Sequence, residues 1–203
     1  MRKLSPEQIQ HNTKQWEDVW KIHLFKELQK TNPRIYKVIT APNFKGTKYN
    51  TIPTSAYLFG GVGTGKTVEA IWMLIEWTRM RIMNSQPIKG LGLFVTCEEL
   101  FQSIRNTYNK KSDVTEQTLL DLYQEAEMLV IDDLGVMNTS DWTYKILYQI
   151  VDYRYSNFLP TIYTSNMSLA DLAKVLGDDR IPDRIQHDCK DNIYNYKRKS
   201  RRM

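Results

Sequence analysis

A glycine-rich stretch carries the clearest chemical signal in the sequence. It reads Gly60, Gly61, Val62, Gly63, Thr64, Gly65, Lys66 and Thr67, and it matches every fixed position of the P-loop pattern. The glycines let successive backbone amides converge on phosphate oxygens, and the lysine adds positive charge at the β- and γ-phosphates. The threonine hydroxyl can bind Mg²⁺ beside the N-terminus of a following helix. The stretch therefore predicts a phosphate-binding loop, with a glycine-rich turn that binds nothing as the weaker alternative.

Two adjacent carboxylates follow the apolar run at residues 128–131. Asp132 is predicted to hold the metal ion, and Asp133 is predicted to act as the base that positions water. Neighbouring residues at the end of a strand point in different directions, so the two carboxylates can serve different atoms. Phosphoryl transfer needs positioning and charge more than covalent chemistry, and this pair supplies both.

A polar amide ends another apolar run. Residues 160–165 finish in Thr164 and Ser165, and Asn166 comes next. In a parallel sheet this amide would lie at the same edge as the P-loop, where it can orient water beside the γ-phosphate. Taken alone, an asparagine at such a place is more often a turn residue.

Short apolar runs alternate with longer amphipathic segments from about residue 50 onward. The runs that predict strands are residues 56–59, 91–96, 128–132, 160–165 and 192–196. This alternation predicts an α/β fold with a five-stranded, mostly parallel sheet and helices on both faces. Lys66 and Asp132 lie 66 positions apart, which leaves room for an extra strand between the two motif strands. That spacing disfavours small nucleoside and nucleotide kinases.

The first 50 residues have a different pattern. Ser5 and Pro6 predict the start of one helix over residues 6–30, and residues 31–55 show no sustained period and are predicted as a linker. The predicted organisation is an N-terminal helix and linker (1–50), a core domain (51–196) and a basic tail (197–203). The tail has five basic residues in seven, and solubilising the chain and contacting a phosphate backbone are equally open roles for it.

Composition excludes several classes of protein. Hydrophobic residues make up 41% of the chain and charged residues 25%, as in ordinary globular proteins. The sequence lacks an apolar run of roughly 18–20 residues and a signal-peptide core, so no membrane span and a cytoplasmic location are expected. Cys97 and Cys189 are predicted to be reduced thiols, because nothing in their spacing or in the three histidines suggests a disulfide framework or a zinc site.

These motifs together resemble the AAA+ ATPases of the DnaC/DnaI type, which load the replicative helicase, and the related IstB transposition ATPases. The resemblance covers residues 55–196, and beyond the two motifs it rests on residues 95–108, 116–135, 149–154 and 180–185. It implies a P-loop NTPase of the AAA+ (ASCE) type without a C-terminal lid domain, which binds ATP and Mg²⁺ and hydrolyses ATP between subunits of a spiral or ring. The small size suggests a version from a phage or mobile element.

The resemblance also implies roles for residues outside the two motifs. Arg184 matches the arginine finger that reaches a neighbour's γ-phosphate, with Arg180 as a second candidate and a surface salt bridge as the alternative. Single-stranded DNA would be bound by Arg105, Tyr108, Ser140 and Trp142. Tyr108 and Trp142 also sit at helical spacings where core packing is the usual explanation.

The N-terminal helix departs from the DnaI-type pattern, because these residues contain no cysteine for a zinc-binding docking domain. Its apolar side can instead form a helix-in-groove surface for a DnaB-type helicase. The residues of that predicted surface are Trp16, Val19, Trp20, Leu24 and Phe25. Packing on the protein's own sheet is the alternative.

The function expected from these patterns is ATP-dependent loading of a hexameric replicative helicase onto single-stranded DNA. An IstB-like transposition ATPase is one alternative. The other is an adaptor that binds the helicase and scarcely turns over ATP, because Asp133 is one methylene shorter than the glutamate often found at this position.

Overall fold

A computed structural model describes residues 4–52, 54–88, 92–109, 113–136 and 140–197. The chain divides into two compact units. The first combines residues 1–53 with 71–91, and the second combines residues 54–70 with 92–203. Residues 71–91 therefore group with the N-terminal segment, which the sequence did not predict. Most of the basic tail lies outside the described residues.

The N-terminal segment of the first unit is helical from Pro6 to Ile39 except at Asn32. Helix α1 (Pro6–Gln15) passes into a π-helical turn (Trp16–Trp20) and then into α2 (Lys21–Thr31). Ser5 forms a capping box with Gln8 at the predicted start. The predicted helix over residues 6–30 is confirmed, except that its centre is π-helical.

A third short helix, α3 (Pro33–Ile39), corrects the prediction of a linker over residues 31–55. Proline at the first helical position starts it without losing a hydrogen bond, since that N–H would have no partner inside the helix. Seven residues make about two turns, which is too short for an apolar period to stand out.

Helix α4 (Lys66–Met83) belongs to both units, and its part from Ile71 onward lies in the first. There Asn12 donates to the carbonyl of Met83 (3.1 Å) and to the hydroxyl of Ser85 (2.9 Å). The indole of Trp72 donates to the carbonyl of Thr47 over 2.9 Å. These hydrogen bonds tie two parts of the N-terminal segment to the stretch that runs from Ile71 of α4 to Ser85.

The second unit is built on five parallel strands. They are β1 (Ala56–Gly60), β2 (Leu93–Thr96), β3 (Leu129–Leu134), β4 (Thr161–Ser165) and β5 (Ile193–Tyr196). Their order in the sheet is β2-β3-β4-β1-β5, and every pair is parallel. The predicted strands and their parallel arrangement are confirmed, and β3 runs two residues past its predicted end.

Five helices complete the described part of this unit. They are α5 (Cys97–Asn106), α6 (Glu116–Glu125), α7 (Asp141–Ser156), α8 (Leu169–Leu176) and α9 (Arg180–Cys189). Thr96, Ser140 and Ser168 cap three of them as predicted, and α8 ends at Gly177, whose φ of +67° favours glycine. Helix α5 packs on β2 and β3, and α9 packs on β1 and on α7.

A buried arginine joins the end of α6 to the start of β4. The guanidinium of Arg154 is fully buried and donates to the carbonyls of Tyr123, Gln124 and Ala126, to that of Pro160 and to the hydroxyl of Thr161, over 2.7–3.0 Å. Burial lowers the pKa of Arg154 to about 10, so the side chain stays charged at neutral pH. It satisfies carbonyls that the end of a helix leaves without partners.

Candidate active site

The phosphate-binding loop connects β1 to α4. Its backbone uses conformations that favour glycine at Gly60, Gly63 and Gly65, where φ is +132°, +76° and +100°. A Cβ on Gly60 would lie 2.5 Å from the carbonyl oxygen of Tyr196 on the neighbouring strand β5. The first glycine of the loop is therefore required by strand pairing as well as by the turn.

Lys66 lies where the loop enters α4 and is only 5% exposed. Its ammonium donates to the carbonyls of Gly60 (2.8 Å) and Gly61 (2.9 Å) and to Oδ1 of Asn166 (3.0 Å). The structure thus brings together the lysine and the asparagine, which lie 100 positions apart in the sequence. Asn166 follows β4 directly and is exposed, so its amide is open to a ligand held by the loop.

Asp132 is buried at the end of β3, close to the start of α4. Its Oδ1 accepts a hydrogen bond from Oγ1 of Thr164 over 2.5 Å. Burial raises the pKa of Asp132, and hydrogen bonds from the side chains of Thr164 and Thr67 act in the opposite direction. Thr67 and Asp132, the two predicted metal ligands, are therefore adjacent.

Asp133 sits in a β-bulge. Ile131 pairs with Tyr163 and Leu134 with Ser165, so two residues of β3 face one of β4. Asp133 takes a left-handed conformation (φ +55°), and its N–H donates to Oγ1 of Thr164 over 3.0 Å. The bulge buries the first acid and exposes the second, which gives the two carboxylates the separate directions that the sequence predicted.

The residues around the loop fit Mg²⁺ held with a phosphate. Thr67 and Asp132 offer oxygen donors, the kind this ion prefers. Nowhere in the described ranges do three or more His, Cys, Asp or Glu side chains cluster in a way that could hold a metal ion. Few protein ligands are expected for Mg²⁺, because phosphate oxygens and water supply the others.

The two predicted finger arginines lie on one side of α9. Nε of Arg184 is 2.5 Å from Oδ1 of Asp152, and its Nη2 donates to the hydroxyl of Tyr148 over 2.8 Å. Arg180 pairs with Asp178 through Nε and Nη2, and it stacks over Tyr148. Both arginines thus have partners within the chain, and their action on a neighbour stays a prediction.

Three of the four predicted DNA-binding residues form a cluster, in which Arg105 and Tyr108 are exposed and Trp142 is half-buried against the core. The indole of Trp142 donates to the hydroxyl of Tyr108 over 2.9 Å, and the guanidinium of Arg105 lies 5.0 Å from the centre of the Trp142 ring. Tyr108 is 55% exposed, which argues against the alternative that it is a core residue. The hydroxyl of the fourth, Ser140, caps α7 by accepting the N–H of Thr143 over 3.2 Å. The DNA role of all four stays a prediction.

A cavity of about 670 Å³ lies between Arg105 of this cluster and the exposed acid Asp133. Arg105 and Phe101 line it from α5, and Asp133 lines it from the end of β3. Phe101 also contacts Trp142 edge to face, with ring centres 5.9 Å apart. A ligand held by Arg105 and Trp142 would therefore adjoin the cavity that contains the predicted catalytic base.

The predicted partner surface on the N-terminal helix needs a correction. Trp16 and Leu24 are buried, at 5% and 7% exposed, so they cannot present themselves to a partner. Val19 is 55% exposed, and Trp20 and Phe25 are half-buried. The period of an ideal α-helix places Trp16, Val19, Trp20 and Leu24 on one side, and the π-helical turn changes which residues share a face.

Sequence reasoning missed three residues around the site. Thr164 bonds to both acids, and Tyr148 and Asp152 hold Arg184. For Thr164 a signal existed, because parallel pairing of the strand at 160–165 beside the strand at 128–132 places their ends together. Nothing local to Tyr148 or Asp152 marks them, since their partner is more than 30 positions away.

Comparisons with known proteins agree with the fold and the loop. A family model described as "IstB-like ATP binding protein" matches residues 13–203. The "Replicative helicase loader DnaC" of Buchnera aphidicola subsp. Baizongia pistaciae is 31% identical over 152 residues, which are 74% of this chain and 57% of that protein. The chain therefore spans a little over half the length of this curated relative.

Two solved structures share the fold. The crystal structure of the DnaC helicase loader matches with a TM-score of 0.58 at 24% identity, over 85% of this chain and 89% of that one. The replication initiator DnaA, bound to AMPPCP and single-stranded DNA, matches with a TM-score of 0.58 at 15% identity, over 90% of this chain and 47% of that one. At these identities the likeness establishes the α/β P-loop fold alone.

The resemblance to DnaC-type AAA+ loaders and their IstB relatives is confirmed by these matches. Because the family match from residue 13 to residue 203 takes in nearly the whole sequence, the chain belongs to the IstB-like ATP binding protein family.

Proposed function

We propose that this protein binds ATP with Mg²⁺, hydrolyses it where two copies of the chain meet, and uses the cycle to load a DnaB-type replicative helicase onto single-stranded DNA. The observation that carries the nucleotide part is the convergence of five side chains at one edge of the sheet. They are Lys66, Thr67, Asp132, Asp133 and Asn166. Family membership and the DnaC relative support the loading part.

The chain's own residues divide the work of hydrolysis. Lys66 would turn from the carbonyls of Gly60 and Gly61 toward the β- and γ-phosphates. Asp133, exposed at the bulge, would accept a proton from the attacking water, and the amide of Asn166 would orient that water. Mg²⁺, when held by Thr67 and Asp132, supplies charge to the phosphate oxygens.

An arginine from a neighbouring copy would complete the site. An arginine that meets the transferring phosphoryl group contributes about 10³–10⁵ in rate, so assembly can switch hydrolysis on. Arg184 is the proposed donor. Arg180 stays the second candidate, because its carboxylate partner Asp178 lies in the segment that enters the same helix and not on another helix.

Single-stranded DNA is proposed to bind the cluster of Arg105, Tyr108 and Trp142. Stacking on aromatic rings is tolerant of sequence, as a loader requires, and Arg105 can meet a phosphate. The shared cavity with Asp133 gives a physical reason for DNA to change the rate of hydrolysis.

The test measures ATP turnover with and without single-stranded DNA, and helicase binding by native mass spectrometry with and without Mg²⁺-ATP. A defined complex with the host's replicative helicase, together with turnover that Lys66→Ala abolishes, supports loading. A complex without turnover indicates an adaptor. Self-assembly on DNA with no helicase complex indicates an IstB-like transposition ATPase.

Docking of the helicase can be tested without truncating the chain. Val19→Asp places a charge on the exposed part of the N-terminal helix, and Val38→Asp on α3 is the matched control at similar exposure. Loss of the complex with the first variant alone places the helicase on this helix. Equal binding by both variants moves the docking site elsewhere.

A further inference from the structure

The facing sides of α7 and α9 carry a ladder of aromatic and charged side chains. Tyr144, Tyr148 and Asp152 are spaced four residues apart on α7, so they line one side of that helix. Arg180 and Arg184 have the same spacing on α9. The two tyrosine rings are nearly parallel, with centres 6.2 Å apart. The α7–α9 ladder therefore sets two cations against aromatic faces, with one carboxylate at its end.

Arg184 is held at three points within this ladder. Its Nε donates to Oδ1 of Asp152, its Nη2 donates to the hydroxyl of Tyr148, and its Nη1 donates to the carbonyl of Arg180 over 3.2 Å. The guanidinium also lies 4.8 Å from the centre of the Tyr148 ring. These contacts fix both the plane of the guanidinium and its rotation within that plane.

The contacts leave donors for a ligand. A guanidinium has five N–H groups, of which three are used here, and each terminal nitrogen keeps one more. Two such N–H groups are what a bidentate contact with phosphate oxygens needs. Arg184 can therefore bind a phosphate while its hydrogen bonds to Asp152 and Tyr148 stay in place. These two residues support the arginine in its binding position and do not need to release it first.

Arg180 is held differently, by stacking over the rings of Tyr144 and Tyr148 on α7 and by an ion pair within its own segment. Its partner Asp178 lies two residues before it, in the segment that enters the same helix. Asp152 and Tyr148 are instead 32 and 36 positions from Arg184 and belong to a different helix. A guanidinium that is hydrogen-bonded to a separate helix keeps its position relative to the core. An arginine that contacts a neighbour's phosphate needs such a fixed position.

We propose that Asp152 and Tyr148 are positioning residues that orient Arg184 toward the γ-phosphate bound by a second copy of this chain. This rests on the proposed hydrolysis between copies. Misplacing a catalytic group by about 1 Å can cost on the order of 10²-fold in rate. Loss of the hydrogen bonds that Asp152 and Tyr148 make to Arg184 should therefore slow turnover and leave nucleotide binding unchanged.

The experiment mixes two variants so that only one kind of site can react. Asp133→Asn subunits bind ATP and carry an intact Arg184 but lack the base, so they act as donors. Arg184→Ala subunits have an intact ATP site but no finger, so they act as acceptors. Each variant alone should be inactive, and the mixture should regain turnover at acceptor sites beside a donor.

Asp152 is then replaced in one kind of subunit at a time, first in the donor and then in the acceptor. Asp152→Ala in the donor should lower kcat of the mixture by about 10–100-fold with KM for ATP unchanged. In the acceptor, where Arg184 is already absent, the same change should add no further loss. Asp152→Asn in the donor keeps an oxygen that can accept from Nε, so it should fall between aspartate and alanine. Asp121→Asn, at an exposed site on α6, is the charge-matched control.

Each outcome decides between the two proposals. An equal loss from donor and acceptor, or a mixed oligomer that no longer forms by analytical ultracentrifugation, would make Asp152 a structural residue and overturn its positioning role. Full activity with Asp152→Ala donors would overturn it as well. Failure of the unmodified mixture to regain turnover would instead contradict hydrolysis between copies, and the positioning role would fall with it.

Discussion

The N–H of Asp133 donates to the hydroxyl oxygen of Thr164 over 3.0 Å, and the same hydroxyl donates to the buried carboxylate of the preceding residue. One side chain of β4 thus holds the backbone of one acid and the carboxylate of the other. It spans the bulge where regular strand pairing stops. The direction of the exposed acid is therefore fixed from a neighbouring strand.

Asp133→Asn should abolish turnover and spare nucleotide binding. Asparagine tolerates the left-handed conformation at this position, so the fold should be kept while the base is lost. A general base contributes about 10²–10⁴ in rate, and kcat should fall by that factor. Steady-state kinetics and binding of a fluorescent ATP analogue measure the two effects. A loss of affinity equal to the loss of rate would contradict the assignment.

Trp142→Ala should weaken binding of single-stranded DNA by about 1–3 kcal/mol, the usual effect of losing one stacked base. Arg105→Ala should weaken binding and also reduce its dependence on salt, because one phosphate contact is lost. Fluorescence anisotropy at several salt concentrations measures both. Phe158→Ala, at an aromatic residue that is 90% exposed elsewhere on the unit, should bind DNA like the parent. Equal weakening in all three variants would contradict the proposed DNA site.

Arg154→Met should lower the free energy of unfolding by about 3 kcal/mol or more, because four buried or partly buried carbonyls lose their donor. Lys145→Met on the same helix is exposed and should leave stability close to that of the parent. Urea unfolding followed by circular dichroism compares the two. A small effect at residue 154 would mean that other groups or water satisfy those carbonyls.

The two cysteine thiols should resist modification in the folded protein. Burial raises the pKa of Cys97 to about 12 and also raises that of Cys189. At pH 8 a disulfide reagent should therefore label both thiols quickly in urea and very slowly in native buffer. Rapid labelling of the native protein would contradict the burial.

The same thiols make stability depend on pH. In the unfolded chain they lose their protons near the ordinary value of 9.0, whereas in the folded protein they stay protonated. The unfolded state then binds fewer protons, so the free energy of unfolding should fall as pH rises above about 9. Replacing both cysteines with alanine should reduce this slope in urea titrations at pH 8 and pH 10.

The features that the sequence predicted correctly depend on residues that lie close together in the chain. A strand, a glycine-rich loop and a helix lie next to one another at residues 56–83, and capping residues such as Ser140 and Ser168 mark where their helices begin. The parallel sheet follows from strands that alternate with helices. Local spacing was sufficient for all of these.

The features that were missed depend on partners far along the chain or on irregular backbone. Asp152 is an unremarkable helical carboxylate until α9 packs against it, and the bulge at Asp133 exists only in the pairing with β4. The π-helical turn has no composition that distinguishes it from an α-helix. Tertiary contacts decide such features, and a single sequence does not display them.

The order of strands in the sheet also bears on how the protein is made. The strand that carries the phosphate-binding loop is the first of the five to be synthesised, yet its neighbours are the last two, β4 and β5. Ser55, just before β1, bonds to Thr161, which is 106 positions later. During translation β1 must therefore wait, with both edges unpaired, until most of the chain has left the ribosome. Pairings of such long range form slowly and leave strand edges open to aggregation, so a growing chain has a reason to need a chaperone until β4 emerges.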